Sequence, residues 1–240
     1  DAFYTSPDIV RAIWKGVSRL GFKGGRVLDP SMGVGNFYGC MPRGMMKKSS
    51  LQGVEIDNLT SRFAKMLYPS AYVENTGFQK AELANDFFDL VISNIPFGQL
   101  KIDGDKIHNY FFANGIDKVR PGGLMVFATS QGSLTNSEDG ARMRNYLDGK
   151  VDMIAAYKLP EGAFAEAGTG VITDIVIFQK RGKDGAKSPY AQEFTELTTM
   201  TDGVTVNDYF EKHPENVLGN VSVVRDQYYR PALSVKQRDG

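Results

Sequence analysis

The sequence has few of the residues that bind metals or form disulfides. Its 240 residues include one cysteine, Cys40, and two histidines, His108 and His213. A single cysteine excludes an intramolecular disulfide, and so small a set of strong ligands argues against a metal site. This cysteine usage is typical of proteins in a reducing compartment, so we expect a cytoplasmic location.

Long apolar runs and an excess of one charge sign are also missing. No segment approaches the roughly 18 consecutive apolar residues of a membrane span, and no signal-peptide pattern opens the chain, so no membrane contact is expected. Lys plus Arg number 28 and Asp plus Glu number 28, which gives a formal net charge of zero. Proteins that bind nucleic acid by general phosphate neutralisation are usually basic. Any contact with nucleic acid must therefore come from local basic patches or from other parts of a longer protein. The chain opens with DAFYTSPD and has no initiator methionine, so we expect it to be a fragment of a longer protein.

Helix-like and strand-like segments alternate up to residue 180. A first helix begins at Ser6-Pro7, which combines a capping residue with a proline suited to the first turn. Apolar patterns then predict strands over residues 26–29, 51–56, 71–73, 89–93, 124–129, 151–159 and 171–180, and helices over residues 59–67, 108–119 and 139–147. This alternation predicts an α/β, Rossmann-like fold with a seven-stranded, mostly parallel sheet and helices on both faces. Only a loop separates the last two strands, so we expect them to pair as an antiparallel hairpin, with an antiparallel strand at one edge of the sheet.

The character of the sequence changes after Arg181. We expect residues 1–181 to form the main domain, and residues 182–240 to form a linker, GKDGAKSPY, followed by a short C-terminal extension. The extension has weak periodicity and one short helix predicted near residues 206–212. It is expected to pack on the main domain or to lead to a region outside this sequence.

A glycine-bearing turn, VLDPSMGVGNF, follows the first predicted strand. Ligands of open α/β sheets lie beyond the carboxyl ends of the strands. Gly33 and Gly35 would let the backbone approach a ligand closely, and Asn36 would open the next helix. The turn lacks the G-x-G-x-x-G spacing of dinucleotide sites, and a carboxylate at Asp29 suits a cationic group better than a pyrophosphate.

The second predicted strand ends in VEID. An acid at this position is well placed to accept hydrogen bonds from ribose hydroxyls. Glu55 is the better candidate, with Ile56 beside an adenine ring, whereas Asp57 is interpreted as the cap of the next helix. An adenosine with a positive centre near Asp29 describes S-adenosylmethionine better than a nicotinamide cofactor.

The fourth predicted strand, in FFDLVISNIPFG, ends abruptly in Asn94-Ile95-Pro96-Phe97. An ordinary loop requires no amide, rigid proline and aromatic residue in that order. A site that binds a flat, amine-bearing ring could use the amide, the proline and the aromatic residue together. The expected strand order puts this strand next to the first, so Asn94 would face the methyl group of the cofactor.

These motifs together resemble the S-adenosylmethionine-dependent, adenine-specific (N6) DNA methyltransferases with the gamma order of motifs. Their signature, Asn/Asp-Pro-Pro-Tyr/Phe, stands here as Asn94-Ile95-Pro96-Phe97, with isoleucine in place of the first proline. The other matching motifs are YTSP (4–7), VLDPSMGVGNF, GVEID, RPGGLMVFATS and GAFAEAGTGVITDIVIF. HNYFFANGIDKVRPGG and DYFEKHPENVLG are most similar to methylase domains of helicase-linked proteins of mobile elements, so a helicase or recognition region is expected elsewhere in the full-length chain.

The resemblance implies transfer of a methyl group from S-adenosyl-L-methionine to the exocyclic amine of an adenine flipped out of DNA. The Asn94 side-chain oxygen and the Ile95 carbonyl would accept the two amine hydrogens. Pro96 would hold the loop rigid, and Phe97 and Phe164 would stack on the base. The cofactor residues implied are Tyr4, Thr5, Asp29, Ser31, Gly33, Gly35, Asn36, Glu55, Ile56, Asn75 and Phe78. The family's acid before Phe78 is replaced by Gly77, and Asn75 or Gln79 is expected to substitute for it.

Other functions stay open at this point. A protein-glutamine N5-methyltransferase uses the same chemistry on an amide nitrogen, but such enzymes have a helical domain ahead of the cofactor motif, where this chain has YTSP. An RNA adenine methyltransferase and a noncatalytic module that binds S-adenosylmethionine or DNA are also compatible with these motifs. The presence of Asn94, Pro96 and Phe97 together with Asp29 and Glu55 favours an enzyme, because a noncatalytic site has no physical need for all five.

Overall fold

The computed structural model describes residues 5–96, 101–102, 105–134, 138–163, 172–226 and 228–238, with only the backbone described at residues 105, 133, 138 and 139. The helices are α1 (Pro7–Arg19), α2 (Asn36–Gly39), α3 (Arg43–Met46), α4 (Asn58–Leu67), α5 (Ile107–Lys118), α6 (Glu138–Asp148) and α7 (Asp208–Lys212). The strands are β1 (Arg26–Asp29), β2 (Ser50–Glu55), β3 (Tyr72–Asn75), β4 (Phe88–Asn94), β5 (Lys101–Ile102), β6 (Asp105–Lys106), β7 (Val119–Ser130), β8 (Val151–Lys158), β9 (Thr173–Lys180), β10 (Leu197–Thr199), β11 (Thr205–Asn207), β12 (Asn220–Arg225) and β13 (Pro231–Lys236).

One seven-stranded sheet, in the order β3-β2-β1-β4-β7-β9-β8, organises the molecule. The first five strands in this order are parallel. β9 runs antiparallel to both β7 and β8 and lies between them, so the antiparallel strand is next to the edge of the sheet and not at the edge as expected, because β8 pairs on its outer side. The predicted Rossmann-like fold and the predicted pairing of the last two strands are confirmed. All the parallel strands, and β8, end at the same edge of the sheet, which we call the carboxyl edge.

Helices cover both faces of the sheet, as predicted, because successive strand residues point to opposite faces. In β4, Leu90 and Ile92 pack on one face with α1, whereas Val91 packs on the other face with α5. α5 approaches the sheet closely at Gly115, where an added Cβ would lie 2.8 Å from the Phe127 ring. None of the helices in the described part of the chain combines the length and the hydrophobicity that a bilayer span requires.

The C-terminal residues contribute to the same core. Phe194, Tyr209 and Val235 are buried in the cluster on the α5 face of the sheet. The fully buried Asn207 donates hydrogen bonds to the carbonyls of Leu134 (2.9 Å) and Phe194 (2.7 Å). The short helix predicted near residues 206–212 is confirmed as α7, and the hairpins β10–β11 and β12–β13 flank it in the chain.

A buried ion pair joins β8 to β9 at the carboxyl edge. Lys158 Nζ donates to Asp174 Oδ1 over 2.6 Å, and the two residues are 1% and 0% exposed. The ammonium also lies 4.4 Å from the centre of the Phe210 ring. Burial raises the pKa of Asp174, and the charge of Lys158 opposes that shift. Removing either residue would therefore leave the other charge buried without a partner.

Candidate active site

A cleft of about 830 Å³ opens at the carboxyl edge, above the ends of β1, β2 and β4. Its volume lies in the range of small-molecule and cofactor sites, roughly 300–1,000 Å³. The predicted site residues that line it are Thr5, Asp29, Ser31, Gly33, Asn36, Glu55, Ile56, Phe78, Asn94, Ile95 and Pro96. The tertiary structure thus brings together residues that lie up to about 90 positions apart in the sequence, as expected where adjacent parallel strands end.

Asp29, the last residue of β1, supplies a buried carboxylate to the cleft. It is 1% exposed, and its Oδ1 accepts hydrogen bonds from Ser93 Oγ (2.6 Å) and from the Ser31 backbone N–H (3.1 Å). Burial raises the pKa of Asp29 to about 7, although both hydrogen bonds lower it. A cation bound nearby would favour the ionised carboxylate.

The turn after β1 bends sharply to begin α2. Gly33 and Gly35 adopt left-handed backbone conformations, with φ of 56° and 88°, and the Gly35 N–H donates to the Met32 carbonyl over 2.8 Å. Asn36 is the first residue of α2, and its side-chain amide donates to the Thr5 carbonyl over 3.4 Å. This contact ties the segment before α1 to the wall of the cleft.

Replacing Gly35 with alanine is expected to destabilise the protein more than replacing Gly33 with alanine. Both changes put a side chain at a positive φ, which costs about 1–2 kcal/mol. A Cβ at Gly35 would also overlap the ring of Tyr68, whereas nothing lies within 4 Å of one at Gly33. Overpacking of this kind adds about 1–3 kcal/mol. Urea unfolding measures the free energy of unfolding of the two variants. An equal decrease in both would show that the Tyr68 ring moves aside freely.

Glu55, at the end of β2, holds the turn in place. Its Oε2 accepts a hydrogen bond from the Gly33 N–H (2.9 Å) and its Oε1 accepts one from the Asp57 N–H (2.8 Å). Each carboxylate oxygen keeps a further lone pair that a hydroxyl group can use. Asp57 caps α4 by accepting from the Thr60 N–H (2.7 Å), as the sequence predicted. Ile56 is 72% exposed and presents an apolar surface to a ligand.

Asn75 and Gly35 are the described candidates that do not line the cleft. The Asn75 amide donates to the carbonyls of Glu55 (2.9 Å) and Ile56 (3.2 Å), and its oxygen accepts from Asn58 Nδ2 (2.8 Å). Asn75 therefore fixes the backbone that carries Glu55. Gln79, the other residue that the sequence offered in place of the missing acid, does line the cleft.

Asn94 ends β4 in register with Ala128 of β7. The next residue, Ile95, donates its N–H to the Ala128 carbonyl over 3.1 Å, and its side chain is 1% exposed in the core. The backbone that presents Asn94 and the Ile95 carbonyl is thereby anchored to the sheet. The candidates Tyr4, Phe97 and Phe164 lie outside the described residues.

Some residues that form or support the cleft were missed by the sequence analysis. Ser93 does not line the cleft, but its hydroxyl connects β4 to β1 by donating to Asp29, and its only signal was a polar residue inside an apolar strand. Lys101 and Ile102, in the small β5–β6 hairpin, line the cleft. The Asp103-Gly104 dipeptide is a hairpin signal that could have identified this element. Within the described ranges, no group of three or more His, Cys, Asp or Glu side chains is arranged to hold a metal ion.

Comparisons with known proteins relate the chain to methylases. The sequence model of the "N-6 DNA Methylase" family matches residues 1–217. The "Defense against restriction protein B" of Escherichia phage P1 is 28% identical over 205 residues, which are 80% of this chain and 9% of that protein.

Solved structures agree at the level of the fold. A modification subunit attributed to a type I restriction enzyme of Vibrio vulnificus superposes with a TM-score of 0.65 at 17% identity, covering 98% of this chain and 59% of that one. The methyltransferase subunit of a type I restriction-modification system from Streptococcus thermophilus gives a TM-score of 0.62 at 17% identity, covering 89% of this chain and 52% of that one. The chain therefore spans a small part of the phage protein and somewhat more than half of each of these subunits.

Proposed function

Because this chain belongs to the N-6 DNA methylase family, we propose that it transfers a methyl group from S-adenosyl-L-methionine to the exocyclic amine of adenine in DNA. The observation that carries the proposal is the meeting of Asn94 and Ile95 with Asp29 and Glu55 in one cleft. The first two residues suit an amine that is to be methylated, and the last two suit a cationic adenosine cofactor.

The charges and surfaces of the cleft support the following assignment of residues to the cofactor. Glu55, already held by two backbone N–H groups, accepts the ribose hydroxyls with its remaining lone pairs. Ile56 and Phe78 flank the adenine ring, and the turn at Gly33 lets the chain approach the cofactor closely. The buried carboxylate of Asp29 lies toward the positive end, where its charge is little screened.

The amine is activated by the two acceptors at the end of β4. When bound, S-adenosyl-L-methionine supplies a methyl group on a cationic sulfur. The Asn94 side-chain oxygen and the Ile95 carbonyl accept the two hydrogens of the adenine amine, which turns the nitrogen lone pair out of conjugation and toward that methyl group. Both acceptors also stabilise the positive charge that develops on nitrogen, so positioning and electrostatics provide the rate. The methyl–sulfur bond would break as the methyl–nitrogen bond forms, which leaves a neutral thioether. The extra proton on nitrogen would then pass to water, so no general base is needed before transfer.

An adenine within a duplex cannot reach this cleft unless it is flipped out of the stack. We infer that Pro96 stiffens the loop around the flipped base and that Phe97 and Phe164 stack on it, at roughly 1–3 kcal/mol for each base–aromatic contact. Tyr4 and Thr5 complete the cofactor side. The similarity to a phage protein supports a mobile-element protein. We propose that it acts in the cytoplasm and that recognition or helicase regions lie elsewhere in the full chain.

Cofactor binding is expected to weaken as the pH falls through 7. The cationic cofactor prefers the ionised form of Asp29, whose pKa in the free protein is raised to about 7 by burial. Protonation at lower pH competes with binding, so the dissociation constant should be about tenfold higher at pH 6 than at pH 8. Isothermal titration calorimetry measures it. Asp29→Asn keeps an oxygen for the Ser31 and Ser93 hydrogen bonds and should bind weakly at both pH values. An unchanged slope in that variant would assign the pH dependence to another group.

Nucleoside mass spectrometry tests the proposed reaction. Unmethylated plasmid DNA is incubated with the chain and S-adenosyl-L-methionine carrying a deuterated methyl group, with Asn94→Ala as the control. We expect labelled N6-methyladenine from the parent protein alone. Label found instead in RNA, or on a glutamine side chain of a protein substrate, would replace DNA as the substrate. Cofactor binding without label in any of them would identify a noncatalytic module.

A further inference from the structure

The β12–β13 hairpin has a buried base and an exposed tip. At its base, Val235 is 0% and Ser234 is 2% exposed. At its tip, Tyr228 and Tyr229 are 67% and 83% exposed. Two neighbouring tyrosine rings held in water expose more apolar surface than a turn requires, and exposed aromatic clusters of this kind mark binding sites.

The hairpin leaves the body of the protein at the carboxyl edge. The Leu218 N–H donates to the carbonyl of Lys158, the last residue of β8, over 2.8 Å. The Glu161 N–H donates to the Val235 carbonyl over 2.7 Å. Since β8 and β4 run in the same direction, the end of β8 lies at the edge where Asn94 ends β4. The hairpin therefore stands on the same side of the molecule as the opening of the cleft.

The tip has a defined shape. Asp226 accepts hydrogen bonds from the backbone N–H groups of Tyr228 (2.7 Å) and Arg230 (2.9 Å). Arg225 Nη1 donates to the Tyr229 carbonyl over 3.0 Å, and the Arg230 guanidinium lies 4.9 Å from the centre of the Tyr228 ring. Tyr229 has a φ of 59°, a conformation that is costly for a bulky residue and persists only where its surroundings impose it. The backbone of the turn is thus held in a defined conformation, with the Tyr228 ring beside the Arg230 guanidinium.

The hairpin is basic, although the whole chain is neutral. The hairpin, residues 220–236, contains three basic side chains, Arg225, Arg230 and Lys236, and one acidic side chain, Asp226, which forms an ion pair with Arg230 over 2.8 Å. The complete sequence has 28 of each sign. A local basic arm with aromatic side chains is complementary to a polyanion that carries stacked bases.

We propose, on the basis of the function proposed above, that the β12–β13 hairpin is an arm that contacts duplex DNA beside the target adenine. A two-stranded β-ribbon fits the major groove of B-DNA. Arg225, Arg230 and Lys236 contact phosphates, and the rings of Tyr228 and Tyr229 pack against sugars and bases next to the site from which the adenine is flipped. The arm supplies the local basic patch that a chain of zero net charge needs to hold its substrate.

Fluorescence anisotropy with a labelled duplex of about 30 base pairs tests the arm. The tip variant Tyr228→Ser/Tyr229→Asn keeps a residue that tolerates positive φ at position 229. It should bind the duplex at least about tenfold more weakly than the parent. The matched control is Tyr190→Ser, because Tyr190 is 70% exposed and lies near the start of β8, at the opposite edge. The control should bind the duplex like the parent.

A charge variant adds an independent readout. Arg225→Gln/Arg230→Gln should reduce the dependence of duplex affinity on salt by about one unit of logarithmic slope for each phosphate that the variant no longer neutralises. S-adenosyl-L-methionine affinity and the circular dichroism spectrum should match the parent in every variant, which shows that the fold is intact.

The outcomes separate the arm from the proposed reaction. If the parent binds and methylates DNA and the tip variant binds it equally well, the proposed DNA contact of the hairpin is wrong and the proposed methyl transfer is unaffected. If the parent binds DNA through the tip but transfers no methyl group, the proposed DNA contact of the hairpin is supported and the proposed methyl transfer is wrong. If the parent does not bind duplex DNA, the proposed contact of the hairpin is wrong, and the transfer of label to plasmid DNA alone decides the reaction.

Discussion

Replacing Asn94 with alanine is expected to reduce methyl transfer at least about 100-fold, while leaving the affinity for S-adenosyl-L-methionine essentially unchanged. In the proposed mechanism, the side-chain oxygen is one of two acceptors that hold the target amine at the end of β4. Without it, the amine lone pair stays delocalised into the adenine ring and the developing positive charge on nitrogen loses a dipole fixed in position. We propose that the cofactor's adenosine contacts Glu55 and Ile56 instead, so its binding should survive.

Single-turnover transfer rates and calorimetric cofactor titrations measure the two effects of Asn94→Ala separately. Asn94→Asp is the conservative control, because it keeps an oxygen acceptor and the family signature accepts aspartate at this position. It should retain more activity than the alanine variant. A cofactor affinity that falls in parallel with the rate of transfer would contradict the role of Asn94, since it would place this side chain in cofactor binding.

Replacing Lys158 with methionine is expected to lower the free energy of unfolding by about 3–5 kcal/mol. The substitution keeps much of the side-chain volume but leaves the Asp174 carboxylate buried, at 0% exposure, without its ion-pair partner. The folded variant can relieve this by keeping Asp174 protonated, because its pKa is already raised by burial. Since the folded state then binds the proton more tightly than the unfolded state, the loss should shrink as the pH is lowered toward 4.

Two further variants sharpen the test of the buried pair. The double variant Lys158→Met/Asp174→Leu removes both charges and should recover most of the lost stability. Arg11→Met breaks the exposed Arg11–Asp8 pair of α1 and should change the stability little. Denaturant unfolding at two pH values measures all of them. A double variant as unstable as Lys158→Met would show that packing around Lys158, rather than its charge, is what matters.

The sequence alone predicted the fold because its signals are local. The strands, the helices, the Asp57 cap and the short helix α7 each depend on residues within a few positions of one another. The rule that ligands meet the carboxyl ends of parallel strands then brought Asp29, Glu55 and Asn94 to one edge before any contact was known.

The C-terminal hairpins were not predicted, and the reason is physical. Residues 220–225 of β12 are largely exposed, so burial imposes little hydrophobic alternation on their sequence. Strand pairing there depends on the partner strand β13 and on the base of the hairpin docking against Lys158 and Glu161. The residues of β12 alone do not predict this pairing, because it depends on the main sheet having formed.

By itself, the sequence determined the Rossmann-like architecture, the glycine turn and the set of side chains that the cleft can use. Only the tertiary structure decided which of those side chains form hydrogen bonds with one another and with the backbone. It turned the Asn75 amide onto the backbone of Glu55 and Ile56, and it joined Ser93 to Asp29 across 64 positions of the chain. Periodicity and capping are local properties that a short segment carries in its own residues. A hydrogen bond between distant side chains exists only after the strands that hold them have been packed side by side.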